Sequence, residues 1–147
     1  LGREGSEVFQ GNESDIDSQS YVTLDNWTGP ATSSAYGVGN AATISNVGSD
    51  TGLYANQNNY GSVSSNATFT GGTSADGAAI VTSTAIGTAA TATLCNICGA
   101  ASLHGQTAQF NSGSIVAQGR ATVGQTGSVF GSATAVGNSA TYQSNGD

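Results

Sequence analysis

The stretch Ser132-Ala-Thr-Ala-Val-Gly-Asn-Ser-Ala-Thr-Tyr142 occurs in the chain in three versions. The earliest reads Ser34-Ala-Tyr-Gly-Val-Gly-Asn-Ala-Ala-Thr-Ile44, and the middle one Ser83-Thr-Ala-Ile-Gly-Thr-Ala-Ala-Thr-Ala92. Val38, Ile86 and Val136 correspond, so the copies lie 48 and 50 residues apart. Self-similarity at such a period marks a repeat architecture. A second phrase precedes each copy: Asn12-Glu-Ser-Asp-Ile16, Asn59-Tyr-Gly-Ser-Val63 and Asn111-Ser-Gly-Ser-Ile115. Its apolar anchors Ile16, Val63 and Ile115 lead those of the first phrase by 22, 23 and 21 residues. The unit is therefore two-part, with repeats over 12–58, 59–110 and 111–147.

Each phrase alternates with period two, the signature of a strand. Ile16, Ser18, Ser20, Val22 and Leu24 share one face, and Tyr36, Val38, Asn40, Ala42 and Ile44 share another. That phase places Tyr36 and Tyr142 inside, with Val38 and Val136. Sandwich strands recur every 8 to 12 residues, whereas these phrases recur about every 24. The spacing predicts an all-β solenoid with one coil per phrase, hence about six coils. At about 4.8 Å per parallel coil, such a rod is roughly 25–30 Å long. Its expected core is Ile16, Val38, Val63, Ile86, Ile115 and Val136. Asn40, Thr88 and Asn138 are expected to ladder along the axis, as stacked amides do in cross-β packing. Gly39, Gly87 and Gly137 mark a bend or a close backbone contact. Because the two phrases alternate, same-phrase copies are expected two coils apart. Residues 1–11 read as a flexible arm or joint, 12–147 as one β-repeat domain and part of a longer chain, and Tyr54 to Tyr60 as a polar loop.

Composition narrows the function. Charged residues make up 7% of the chain, against a usual value of about 25%. Arg3 and Arg120 are the only Lys or Arg residues, and the net charge is −7. Nucleic-acid binding needs clustered basic side chains to displace counterions, so it is not expected. An anionic membrane surface is excluded on the same ground. Six of the nine acids fall between Glu4 and Asp25. No run approaches the roughly 18 apolar residues of a transmembrane helix. Scarce Lys with abundant Gly, Ser, Thr and Asn suggests a secreted protein of an outer surface.

Several residues are candidates for chemistry. Cys95-Asn-Ile-Cys98 can be a local disulfide, half a metal site or a redox pair. A zinc site needs two more ligands and His104 is the only histidine, so a disulfide is expected. His104 itself reads as an exposed loop residue, and nothing assembles a paired-carboxylate or nucleophile-elbow site, so no enzyme is expected. Glu13, Asp15 and Asp17 could supply oxygen ligands for Ca²⁺, but a solvated acidic face is the plainer reading, and no cofactor is expected. Trp27, Tyr54 and Tyr60 are candidates for stacking on sugar rings.

The Ala-x-Ala-Val-Gly-Asn-x-Ala-Thr phrase, the Asn-Ser-Gly-Ser-Ile-Val-Ala phrase before it and the Cys-x-x-Cys loop together resemble the holdfast anchor protein D family. The resemblance implies a protein of the bacterial outer surface that tethers an adhesive holdfast polysaccharide. It also implies partners: a curli-like anchor protein and an outer-membrane secretion factor. It carries over no catalytic residue. Two other functions fit the repeat: a self-assembling extracellular β-fibre joined end to end, and an ice-binding solenoid. The last requires Thr-x-Thr ranks, and Thr82-Ser-Thr84 and Thr91-Ala-Thr93 have no such match in the other copies.

Overall fold

The computed structural model describes residues 4–47, 50–74, 76–95 and 102–145. They form nine strands: β1 (Glu4–Asn12), β2 (Ile16–Asn26), β3 (Pro30–Val47), β4 (Thr51–Asn59), β5 (Val63–Thr73), β6 (Ala78–Cys95), β7 (Leu103–Asn111), β8 (Ile115–Gln125) and β9 (Ser128–Asn145). Three parallel sheets result, ordered β1-β4-β7, β2-β5-β8 and β3-β6-β9. The chain is an all-β solenoid of three coils, each made of three consecutive strands.

The coil count corrects the expectation of six. Both repeated phrases belong to the same coil, so equivalent copies are direct neighbours: Ile16 pairs with Val63 and Val63 with Ile115. Val38 likewise pairs with Ile86, and Ile86 with Val136. The strand the sequence reading lacks is the first of each coil. Of the expected arm 1–11, residues 4–11 lie in β1, and the expected polar loop lies in β4 as far as Asn59. Three coils at about 4.8 Å rise by roughly 14 Å, half the expected rod.

Strands β3, β6 and β9 are each 18 residues long and change phase midway. In β6, Ala79, Val81, Ser83 and Ala85 point inward, and beyond Gly87 the inward set becomes Thr88, Ala90, Ala92 and Leu94. The flip needs a glycine. A β-carbon on Gly39 would lie 2.5 Å from the Gly87 carbonyl and 2.6 Å from Asn59 Oδ1. One on Gly87 would meet the Gly137 carbonyl and Asn111 Oδ1 at the same distances. Val38, Ile86 and Val136 therefore stack in register at an outer bend, half-buried, and do not line the interior. The same flip puts Tyr36 outside, where it is 62% exposed, although Asn40 and Ala42 of the same parity are buried.

The bend pinches the cross-section into two lobes. In the first, β2 and β5 pack on the early halves of β3 and β6, burying Ala35, Ala67, Phe69, Ala79 and Val81. Trp27 leaves coil 1 and rises onto this core, edge to face with Phe69 at 5.4 Å. It occupies space that a β-carbon on Gly71 would fill. In the second lobe, β4 packs on the late half of β6 through Leu53, Ala55, Ala90 and Ala92. Opposed positions here exchange volume from coil to coil. Leu53 faces Ala92 in coil 2, and in coil 3 the same two register positions are Gly105 and Tyr142, whose ring fills the space beside the glycine. Tyr142 thus points inward, as expected, but at the end of the rod it stays 39% exposed.

Candidate binding face and interior ladders

At the pinch, the last residues of β1, β4 and β7 form an amide ladder. Asn12 Nδ2 donates to Asn59 Oδ1 at 2.7 Å, and Asn59 Nδ2 to Asn111 Oδ1 at 2.6 Å. The second hydrogen of each amide goes to a carbonyl of its own coil: Ser14, Gly61 and Gly113 at 2.8, 2.7 and 2.9 Å. These bonds hold the turn into β2, β5 and β8.

A glutamine ladder runs beside it in the opposite sense. Gln57 Nε2 donates to Gln10 Oε1 at 2.7 Å, and Gln109 Nε2 to Gln57 Oε1 at 2.9 Å. Each glutamine also crosses the lobe to a backbone carbonyl, Ala41, Ala89 or Ser139. Gln57 and Asn59 are wholly buried, so the bonds these two side chains make offset a desolvation cost.

The expected row of Asn40, Thr88 and Asn138 stacks in register across the same lobe. Thr88 Oγ1 donates to Asn138 Oδ1 at 2.8 Å, and Asn40 Nδ2 turns instead to the Asn58 carbonyl at 2.8 Å. The ladders through Asn59 and Gln57 were missed. Their signal is the shared Gln-x-Asn that closes β1, β4 and β7: Gln10 with Asn12, Gln57 with Asn59, Gln109 with Asn111.

Outward from the ladders, the β1-β4-β7 sheet shows an aromatic face. Phe9, Tyr54, Tyr60 and Phe110 are 76, 49, 53 and 50% exposed. Phe9 and Asn56 stand between two shallow depressions. Glu7, Tyr54 and Gln106 line one, and Gly11, Asn58 and Tyr60 line the other. Tyr60 and Phe110 lie 5.7 Å apart, tilted by 53°. Tyr54 and Tyr60 are thus brought together with Phe9 and Phe110, which the sequence reading did not single out. Trp27 does not join them, because its ring packs on Phe69.

Other candidates fall elsewhere. Asp15 Oδ1 accepts the Ser62 N–H of coil 2 at 2.7 Å, and Asp17 accepts from Gln19. Glu13, Asp15 and Asp17 do not converge as a cation cage; among the described residues no three such side chains do. Cys95 ends β6 half-buried. Cys98, and with it the expected disulfide, lies outside the described residues. His104 is exposed in β7. Thr82, Thr84, Thr91 and Thr93 face outward on β6, but Tyr36 and Gln143 interrupt their ranks in the neighbouring coils.

The fold and this face define a repeat module: a small parallel β-solenoid with a rigid aromatic and amide surface. Residues 4–62 match the family model of HfaD, holdfast attachment protein D. The matched span covers the whole of coil 1 and runs through β4. No curated protein and no solved structure matches the chain.

Proposed function

We propose that the chain is a structural attachment module of a bacterial outer surface, and that its β1-β4-β7 face holds an adhesive polysaccharide. The family match over residues 4–62 supports the attachment role and the surface location. The observation that carries the binding role is the cluster of Phe9, Tyr54, Tyr60 and Phe110 beside the outward amides of Asn56, Asn58 and Gln106. Aromatic rings offer flat apolar surface at a small entropic cost. Sugar rings present apolar C–H faces to such surfaces, and the amides donate to and accept from hydroxyls. Parallel sheet pairing fixes these side chains in register, so the face needs little ordering when a ligand binds.

A glycan array probed with the parent chain and with the Phe9→Ala, Tyr54→Ala double variant tests this. Retention on polysaccharide is expected to fall by about two orders of magnitude, since each lost stacking contact removes about 1–1.5 kcal/mol. The thermal midpoint should stay unchanged, because both side chains point outward. Undiminished retention in the double variant refutes the assignment of this face.

A further inference from the structure

The two ends of the solenoid differ in what they offer to another coil. In coils 2 and 3, two corner glycines rest against the coil beneath. A β-carbon on Gly61 would collide with the Ser14 carbonyl, and one on Gly113 with that of Gly61. A β-carbon on Gly72 would collide with the Asp25 carbonyl, and one on Gly124 would lie 2.7 Å from the Gly72 carbonyl. In coil 1 the residues at these two register positions are Ser14 and Asp25. Each carries a β-carbon where a coil beneath would place its carbonyl. A third feature agrees. Ala78 donates its N–H down to the Gly29 carbonyl at 3.4 Å. Its register partner in coil 1 is Pro30, which has no N–H to donate.

The coil-3 end has the opposite character. A β-carbon on Gly137 meets nothing nearer than Asn111 Nδ2, at 4.0 Å. Yet the position repeats Gly39 and Gly87, where the coil above is what requires glycine. The ladders stop unfinished as well. Asn111 Nδ2 gives one hydrogen to the Gly113 carbonyl, and the hydrogen that Asn12 and Asn59 pass upward has no partner there among the described residues. Gln109 Oε1, at the place where Gln10 and Gln57 each accept from above, accepts nothing among the described residues.

We infer that the coil-3 end is an acceptor surface for one further β-coil opening with Gln-x-Asn-x-Gly, and that Ser14, Asp25 and Pro30 keep coil 1 of a second copy from serving as that coil. The motif is the one in Gln57–Gly61 and Gln109–Gly113; coil 1 reads Gln10-Gly-Asn-Glu-Ser14. Its glycines clear the carbonyls below, its asparagine accepts from Asn111, and its glutamine donates to Gln109. Electrostatics make the lock necessary. Coil 1 holds Glu7, Glu13, Asp15, Asp17 and Asp25, while residues 103–145 hold Arg120, His104 and no acid. Head-to-tail contact between copies would be attractive, and a heterologous contact of that kind grows into an open filament.

The test installs in coil 1 what coil 2 carries at the same positions: Ser14→Gly, Asp25→Gly and Pro30→Ala together. In sedimentation velocity the parent chain should stay at single-chain mass while the triple variant shifts to multiples of it. Adding Gly137→Ala to the triple variant should return it to single-chain mass, and Gly137→Ala alone should leave the thermal midpoint of the parent unchanged. End-to-end growth of the parent, a triple variant that stays single, or growth indifferent to Gly137→Ala overturns the inference. If the triple variant does not fold, a chain carrying a second copy of residues 96–147 after Asp147 decides instead. Its midpoint should exceed the parent's and drop on Gly137→Ala; no gain, or a gain that survives that substitution, overturns it too.

Discussion

Between β2 or β5 and the early half of the long strand, the interior is closed by apolar side chains, with Phe69 under Trp27 and Ala79 and Val81 packed in the same cluster. Between β1 or β4 and the late half, it is closed by amides that bond along the axis and across the lobe at once. The first lobe draws on burial, about 25 cal/mol per Å² of apolar surface. The second draws on complete hydrogen bonding, in which each link stabilises only while both neighbours are present. A chain with four Phe and one Trp cannot fill both lobes with carbon. The ladders let the second close around a smaller apolar cluster of Leu53, Ala55, Ala90 and Ala92, at the cost of tolerance to any break in the row.

The comparison is most sharply broken at Asn59. Asn59→Ala removes the acceptor of one Asn12 Nδ2 hydrogen and the side-chain donor to Asn111 Oδ1 and to the Gly61 carbonyl. At about 1–3 kcal/mol for each partner lost, the expected loss is about 5 kcal/mol in denaturant unfolding. A loss under 1 kcal/mol would mean that water replaces the ladder. Phe69→Ala should cost the first lobe about 4 kcal/mol through cavity formation, and should relax the near-ultraviolet signal of Trp27. An unchanged Trp27 signal would contradict the edge-to-face contact.

Volume exchange in the second lobe makes a subtler prediction. Leu53→Ala alone should cost about 3 kcal/mol. Combined with Ala92→Leu it should recover to within about 1.5 kcal/mol of the parent, as volume-conserving swaps do. Purely additive losses would show that the two positions do not share one space. Smallest of all is Val136→Asp. On a half-exposed outer bend of the last coil it should cost no more than about 1 kcal/mol, and a larger loss would return Val136 to the interior.

Strand type, parallel stacking and in-register pairing were legible because Val38, Ile86 and Val136, and Ile16, Val63 and Ile115, recur with the right chemistry. The first strand of each coil was not, and volume exchange is the reason. Its three copies read Glu-Gly-Ser-Glu-Val-Phe-Gln-Gly-Asn, Thr-Gly-Leu-Tyr-Ala-Asn-Gln-Asn-Asn and Leu-His-Gly-Gln-Thr-Ala-Gln-Phe-Asn. Ser6, Leu53 and Gly105 stack in one row, yet each answers to a different partner across the lobe. Only Gln and Asn are held constant, because a ladder needs the same group in every coil. The phase flip was hidden for a related reason: Gly39 has no side chain to reveal which face it takes, so Tyr36 reads as inward when parity is counted straight through it. Of the binding face, Tyr54 and Tyr60 could be picked out by residue type. Phe9 and Phe110 could not be joined to them while residues 1–11 read as an arm and Phe110 fell between phrases.

Proton contacts within the side-chain amides put the central claim, in-register stacking of three coils, to its most direct test. In nuclear Overhauser spectra the Nδ2 protons of Asn59 should show cross-peaks to the side-chain amides of both Asn12 and Asn111, with exchange against solvent slowed relative to surface asparagines. Fast exchange, or an Asn59 amide with contacts to neither residue, would contradict the account.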